Sequence, residues 1–442
     1  MDDDVRSFVV RTAEEREIRF IRLWFTDILG SLKSFAIPAE ELHEALAEGV
    51  GFDGSSIDGF ARVQEADMVA HPDASTFQIL PWRPGQAGVA RMFCDIRTPE
   101  GALFEGDPRA VLRRAMTRAS DMGFSFYVGP EIEFFLFGNS TTPEPLDVGS
   151  YFDLTPLDVG SDFRRRVIDY LEQFGVLVKD SHHAIAASQH EVDLRHTDAL
   201  TMADTVMTFR LAVKEVAQEL DVYATFMPKP IQGVDGSSLH THMSLFEGDR
   251  NAFFDATDRY YLSKTARSFV AGLLRHAREI SAVTNQWVNS YRRLVPGFEA
   301  PLYVCWGVSN RSALVRIPLT KPGKEAAARI EYRAPDPACN PYLAFALMLT
   351  AGLQGIEREY ELPPEATNDI YAMTDAERAD AGIVPLPESL PEALAEMQGS
   401  TLVREALGEH LFGWFIANKK AEWNEHRSYV TTLELERSLP RL

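Results

Sequence analysis

Cysteine is nearly missing from this chain: three occur in 442 residues, Cys94, Cys305 and Cys339. They are too few and too scattered for a disulfide framework or a cysteine metal knuckle, which favours a reducing compartment. Basic charge is also in deficit, with 44 Lys and Arg against 65 Asp and Glu and a formal net charge of −21. Nucleic acid and anionic membranes are bound through clustered Lys and Arg, and no long basic run is present, so neither is expected as a partner. No apolar run of about 18 residues is available to span a bilayer. The start, Met1-Asp2-Asp3-Asp4, has neither the basic region nor the apolar core of a signal peptide. A cytoplasmic protein is expected. A Walker-type Gly-x-x-x-x-Gly-Lys-Ser/Thr segment and any fixed-period repeat are lacking too, so a nucleotide, if bound, is held in another way.

What is present is an ordinary globular composition, 45% apolar and 25% charged, long enough for two to four domains. The first part mixes turn-rich stretches such as Gly51-Phe52-Asp53-Gly54-Ser55-Ser56 with short apolar runs. Ile18 to Phe25 alternates as a half-buried strand does. One helix, with Pro38 in its first turn and Gly49 as its stop, interrupts this region. Asp107-Pro108 is a strong helix start, a cap followed by proline. We place a domain boundary just before it, giving residues 1–105 and 106–442. Beyond it, strands with polar residues at period 2 alternate with helical patterns over Ser161–Gly175, Asp198–Leu220, Leu262–Ile280 and Asn340–Tyr360. The layout predicts an α+β fold, with Leu362–Glu392 as an exposed connector.

The chemistry sits in the strands. Glu131 and Glu133 point to one face of a strand that is otherwise apolar. Two carboxylates about 7 Å apart on such a face repel each other and resist desolvation unless cations neutralise them. The pattern recurs at Glu191, Asp193 and Arg195, at His240, His242 and Ser244, and at Glu331 and Arg333. Oxygen and imidazole donors without thiolates suit hard divalent ions, Mg²⁺ or Mn²⁺. Arg292, Arg293, Arg311, Arg316, Arg329 and Arg333 add guanidinium groups able to clamp phosphate or carboxylate bidentately.

Six collinear segments resemble the signatures of class I glutamine synthetases. They are Gly51-Phe52-Asp53-Gly54-Ser55-Ser56, Gly129 to Phe135, Phe226-Met227-Pro228-Lys229-Pro230, Asn289 to Pro301, Asn310-Arg311-Ser312-Ala313, and Pro335 through Tyr342. The resemblance implies a small N-terminal β-grasp-like domain and a large catalytic domain with an antiparallel curved sheet and surrounding helices. It further implies a homododecamer of two stacked hexamers with active sites between subunits. There ATP phosphorylates the γ-carboxylate of glutamate and an amine displaces the phosphate, with two or more Mg²⁺ or Mn²⁺ per site.

By the same resemblance Glu133 and Glu191 hold one metal, and Glu131, His240 and Glu331 another. Arg293, Arg311 and Arg333 hold glutamate and the γ-phosphate, Asp235 and Gly236 back the glutamate, and His242, Ser244 and Arg316 lie on the nucleotide side. Glu299 is the flap glutamate. Asp53, from the adjacent subunit, deprotonates the incoming ammonium beside Ser56 and Tyr151. Two departures are minor: Ala326 stands where many members carry lysine, and the segment backing the glutamate reads Asp235-Gly236-Ser237-Ser238-Leu239 where the family more often has Asn-Gly-Ser-Gly. Tyr371, near the region adenylylated in some members, reads as an ordinary exposed tyrosine. One departure is larger. The glutamate that follows paired histidines in the family is Ala184 after His182-His183, and the segment 184–189 contains no acid. Losing that charge and opening an apolar space beside Asp53 predict an organic amine as acceptor. The alternatives are an ordinary glutamine synthetase using ammonia and, less favoured, a non-catalytic assembly protein.

Overall fold

The alternation at Ile18–Thr26 folds as a strand with Ile21, Leu23 and Phe25 buried beneath it. In the computed structural model, which describes residues 2–57, 59, 67–82, 88–153, 159–321 and 323–442, this strand belongs to a six-stranded sheet. The order is Leu32–Pro38, Ile18–Thr26, Gly88–Arg97, Asp67–Pro72 and Val50–Asp53, with Gln78–Ile79 paired to Gly88–Arg97. Ile18–Thr26 and Gly88–Arg97 run parallel and the other pairs antiparallel. The helix Leu42–Glu48 stops at Gly49, whose φ of 79° and lack of space for a Cβ beside Val69 both require glycine. A second helix, Asp2–Glu15, is one that the sequence reading omitted. Val5, Val9 and Ala13 share its inner face at a spacing of four, and its leading aspartates suit a helix N-terminus.

The second sheet has ten strands among the described residues. Its main order is Trp306–Val308, Val315–Ile317, Ile330–Tyr332, Leu239–Glu247, Ser125–Phe137, Gln189–Leu194 and Val178–His183. The expected antiparallel sheet is in fact mixed. Trp306–Val308 and Val315–Ile317 are parallel because the intervening segment returns the chain to the same end. One face of this sheet is polar, and the helices cover the other.

The helix Pro108–Asp121 begins as read, Asp107 accepting from the Arg109 N–H at 3.0 Å. Val159–Gln173, Ala199–Glu219, Lys264–Thr284 and Pro341–Glu357 match the periodic segments to within a turn. Pro341–Glu357 is buried nearly all round and lies so close to Lys264–Thr284 that a Cβ on Gly272 would sit 2.1 Å from the Ala351 carbonyl. None of the described helices is long and apolar enough to cross a membrane. The supposed connector 362–392 is partly packed, with Ile370, Leu386 and Leu390 buried.

A buried ion cluster joins the two sheets' domains. Arg109 pairs with Asp73 and Asp95 of the N-terminal part at 2.9 and 2.5 Å and with Asp204 of the Ala199–Glu219 helix at 2.9 Å. Asp204 also accepts from the Tyr342 hydroxyl at 2.6 Å.

Candidate active site

Register builds the site. On the strand Ser125–Phe137, Glu131 lies opposite His240 on one side and Asp193 on the other, while Glu133 lies opposite Glu191. Glu331 lies opposite both His242 and Arg316, and His182 opposite Glu191. Directly opposed residues share a face, so five strands bring four glutamates, an aspartate and three histidines onto one surface.

Contacts tie that surface together. His242 Nε2 lies 2.8 Å from Glu131 Oε1, and His240 Nδ1 lies 3.6 and 3.8 Å from Glu131 and Glu331. Arg333 donates to Glu331 at 2.7 Å, and Arg316 pairs with its other oxygen. Glu133 accepts from the Ser238 N–H at 2.5 Å and from its hydroxyl at 2.6 Å. Burial would raise the Glu331 pKa, but Arg333, the two histidines and Arg316 outweigh it and bring it to about 2. Burial likewise opposes ionisation of Glu131, and hydrogen bonds with His240 and His242 hold it well below the usual carboxylate range. Burial and then Glu191 push Glu133 up to about 8. Burial, Asp193 and Glu131 raise Glu191, and burial with Glu131 lifts Asp193 to about 6. Burial and Arg333 lower His240 to about 4.

These carboxylates crowd together without enough protein cations, and the donor set fits divalent ions. Ligand atoms of Glu131, His242 and Glu331 lie within 4.8 Å of one another, as do those of Glu131, Glu191 and Asp193. His240 Nε2 and Asp193 Oδ1 are buried with no hydrogen-bond partner among the described residues. Oxygen and imidazole donors in this density match Mg²⁺ or Mn²⁺.

A pH dependence follows. A raised carboxyl pKa means that the folded state keeps a proton that the unfolded chain releases, so its stabilisation is lost as pH rises towards the folded value. Between pH 6.5 and 8 the metal-free protein is therefore expected to lose stability through Glu133 and Glu191, by on the order of a few kcal/mol. The opposing low values of Glu331 and His240 act below that window. Saturating Mg²⁺ or Mn²⁺ should flatten the slope, as read by denaturation at each pH with chelator and with metal. A slope unaffected by metal would remove these acids from the ligand set.

The arginines divide. Arg333 and Arg316 face the acids. Arg293 is fully buried and spends both Nη atoms on the carbonyls of Arg333, Ala334 and Pro335, leaving only Nε unpartnered. Arg311 interacts with Tyr151 and with Glu299 and Glu331, which raise its pKa against the effect of burial. The segment carrying Glu299 is held from three sides. Asp235 accepts the Glu299 N–H at 2.8 Å, Lys229 sits 3.4 Å over the Phe298 ring, and Tyr371 donates to the Ala300 carbonyl at 2.5 Å. Tyr371 is thus not a free surface tyrosine. Gly236 has no room for a side chain, since a Cβ would meet the Pro228 carbonyl at 2.4 Å.

Asp53 and Ser56 are not brought to this face. They lie exposed on a turn of the N-terminal sheet, where the Ser55 N–H bonds Asp53 and lowers its pKa. Ala184 is fully buried. Its N–H donates to the Gln189 carbonyl at 2.8 Å, and the Gln189 side chain closes the turn by accepting from Ala186. Tyr151 and Phe152 pack against the His182 ring beside it. His242, Ser244 and Arg329 line a cavity of about 370 Å³ next to Glu131 and Asp193. Lys179 belongs to the site but was not singled out from sequence. Asp193, read from sequence as sharing a face with Glu191, joins the site as well.

Comparison with known proteins agrees with this construction. The model for the glutamine synthetase catalytic domain matches residues 105–438 and that for the glutamine synthetase beta-Grasp domain matches residues 17–99. A glutamine synthetase of Mycolicibacterium smegmatis is 56% identical over 99% of both chains. One of Methanosarcina mazei is 51% identical over 98% of this chain and 97% of its own. Among solved structures, a GmaS–ADP complex superposes with a TM-score of 0.89 at 31% identity over 98% of this chain and 99% of its own. Plasmodium falciparum glutamine synthetase superposes at 0.89 with 22% identity over 99% and 98%, a likeness of fold. These names overturn the organic amine expected from Ala184, because relatives identical at more than half of all positions are glutamine synthetases. A physical reason lies in the turn: the chain closes over Ala184 and buries it, so the missing side chain leaves no exposed apolar surface at that position of the subunit. With both of its domains matched and such relatives along its whole length, the chain belongs to the glutamine synthetase family.

Proposed function

We propose that this chain joins glutamate to ammonia at the expense of ATP, releasing glutamine, ADP and phosphate. The observation that carries the reading is the polar sheet face, where Glu131, Glu133, Glu191, His240 and Glu331 converge opposite Arg316 and Arg333. A γ-carboxylate oxygen of glutamate takes the terminal phosphoryl group of ATP. Ammonia then attacks the activated carbon, a C–N bond forms, and the C–O bond to phosphate breaks. Glu133 and Glu191 would hold one Mg²⁺ or Mn²⁺ and Glu131, His240 and Glu331 another. Such ions neutralise the phosphoryl oxygens and align the attacking and leaving groups.

The chain's own side chains do the rest. Arg333 and Arg311 would bind the γ-phosphate and the substrate carboxylate, with the Arg293 Nε behind them, and Asp235 and Gly236 would back the glutamate. The tethered Glu299 segment would keep water from an acyl phosphate that hydrolyses readily. The cavity lined by His242 and Ser244 suits the nucleotide, with Arg316 beside it, and the solved ADP complex of a protein of this fold supports a nucleotide as ligand. Asp53 and Ser56, exposed in one subunit, would complete a neighbour's site next to Tyr151 and the Ala184 turn. That requires an assembly, for which a cytoplasmic dodecamer of two stacked hexamers is the family arrangement.

Steady-state assays with glutamate, ATP and a panel of nitrogen donors test the reading. Ammonia should support turnover above every organic amine. Phosphate release with an organic amine but not with ammonia would refute it.

A further inference from the structure

Lys179 stands where period 2 fails. The strand Val178–His183 pairs with Gln189–Leu194 through Val178↔Leu194 and then Asp180↔Asp193, so Lys179 is an extra residue in the ladder. Bulges of this kind re-aim a side chain. Here the ammonium group points among the acids, 2.7 Å from Asp193, 3.3 Å from Asp180 and 3.9 Å from Glu131. Asp193 and Glu131 belong, with Glu191, to one of the two clusters able to hold an ion. Lys179 is half exposed and also lines the 370 Å³ cavity with His242, Ser244 and Arg329.

We propose that Lys179 is an exchangeable cation of the nucleotide site: it occupies the Asp193–Glu131 acids when no divalent ion is bound and contacts a nucleotide phosphate when one is. An ammonium and a divalent ion cannot share those oxygens without strong repulsion. Metal binding therefore frees Lys179, and its flexible stem lets the charge turn to phosphate oxygens in the adjoining cavity. The side chain thus lowers metal affinity in the absence of nucleotide and raises nucleotide affinity in the presence of metal. This rests on the reading of the face as a metal–nucleotide site.

Calorimetric titration of Lys179→Met and wild type, with Mn²⁺ alone and then with a non-hydrolysable ATP analogue at saturating Mn²⁺, separates the two effects. For Lys179→Met we expect Mn²⁺ to bind several-fold tighter and the analogue about tenfold weaker, the loss of one charged hydrogen bond. Lys179→Arg should restore analogue binding at least in part. Two changes of opposite sign are not produced by a general loosening of the strand, which would weaken both ligands. Unchanged affinities, or weakening of both, would overturn the proposal. Wild-type protein that binds neither ligand would instead refute the underlying assignment of the site.

Discussion

Glu331→Gln is expected to lower kcat by about a thousandfold while leaving a folded protein. This glutamate is fully buried at the centre of the polar face. One oxygen takes Arg333, the other takes Arg316, and His240 lies within 4 Å. The amide of glutamine keeps the shape but presents an NH₂ group to one of two guanidinium groups, so a donor faces a donor. It also removes a negative charge from the cluster with Glu131 and His242 that could hold an ion. Losing one preorganised electrostatic contact at a reacting centre costs roughly a hundred- to a thousandfold, and this change disturbs that cluster and two arginines together. A thousandfold corresponds to about 4 kcal/mol of barrier. Measuring kcat beside Mn²⁺ affinity and the thermal midpoint distinguishes loss of chemistry from loss of fold. Turnover within tenfold of wild type would place the centre elsewhere.

Most of this face was legible because antiparallel strands convert sequence parity into geometry. Glu131 and Glu133 lie in a largely apolar strand, and His240 with His242 repeats their spacing on a second, so polar residues at period 2 mark a functional row. Lys179 was not legible, since the extra residue that aims it breaks the parity by which the rest were found. The burial of Ala184 was hidden for another reason. An alanine beside missing acids reads as open space, whereas closure of the turn depends on Gln189 folding back on Ala186. Tyr371 looked free because its partner, the Ala300 carbonyl, is 71 residues away. The fold was easier to read. Caps such as Asp107 and Asn340 fix helix starts locally, while the Asp2–Glu15 helix was masked by its acidic beginning and the packed residues of 362–392 by their proline-rich surroundings.

The largest stability effect is expected at Arg109. Its guanidinium is 4% exposed and holds Asp73 and Asp95 from the N-terminal domain and Asp204 from the catalytic domain. Arg109→Met removes the cation but leaves the acids. Asp73 and Asp95 keep Arg113, whereas Asp204 keeps the Tyr342 hydroxyl and the charge of Arg91 nearby. Breaking a buried pair from one side costs about 3–5 kcal/mol, because a charge remains without compensation. The loss should appear in denaturant unfolding and as faster proteolysis near residues 98–107, where the two domains join. Arg109→Met combined with Asp204→Asn should be less damaging than Arg109→Met alone, since the second change removes the stranded charge. If the single variant lies within 1 kcal/mol of wild type, or the double variant is the weaker, the cluster is not what fixes the β-grasp domain to the catalytic domain. If the order is as expected, the hold of the β-grasp domain, and of the exposed Asp53 turn it carries, on the catalytic domain depends on one buried guanidinium.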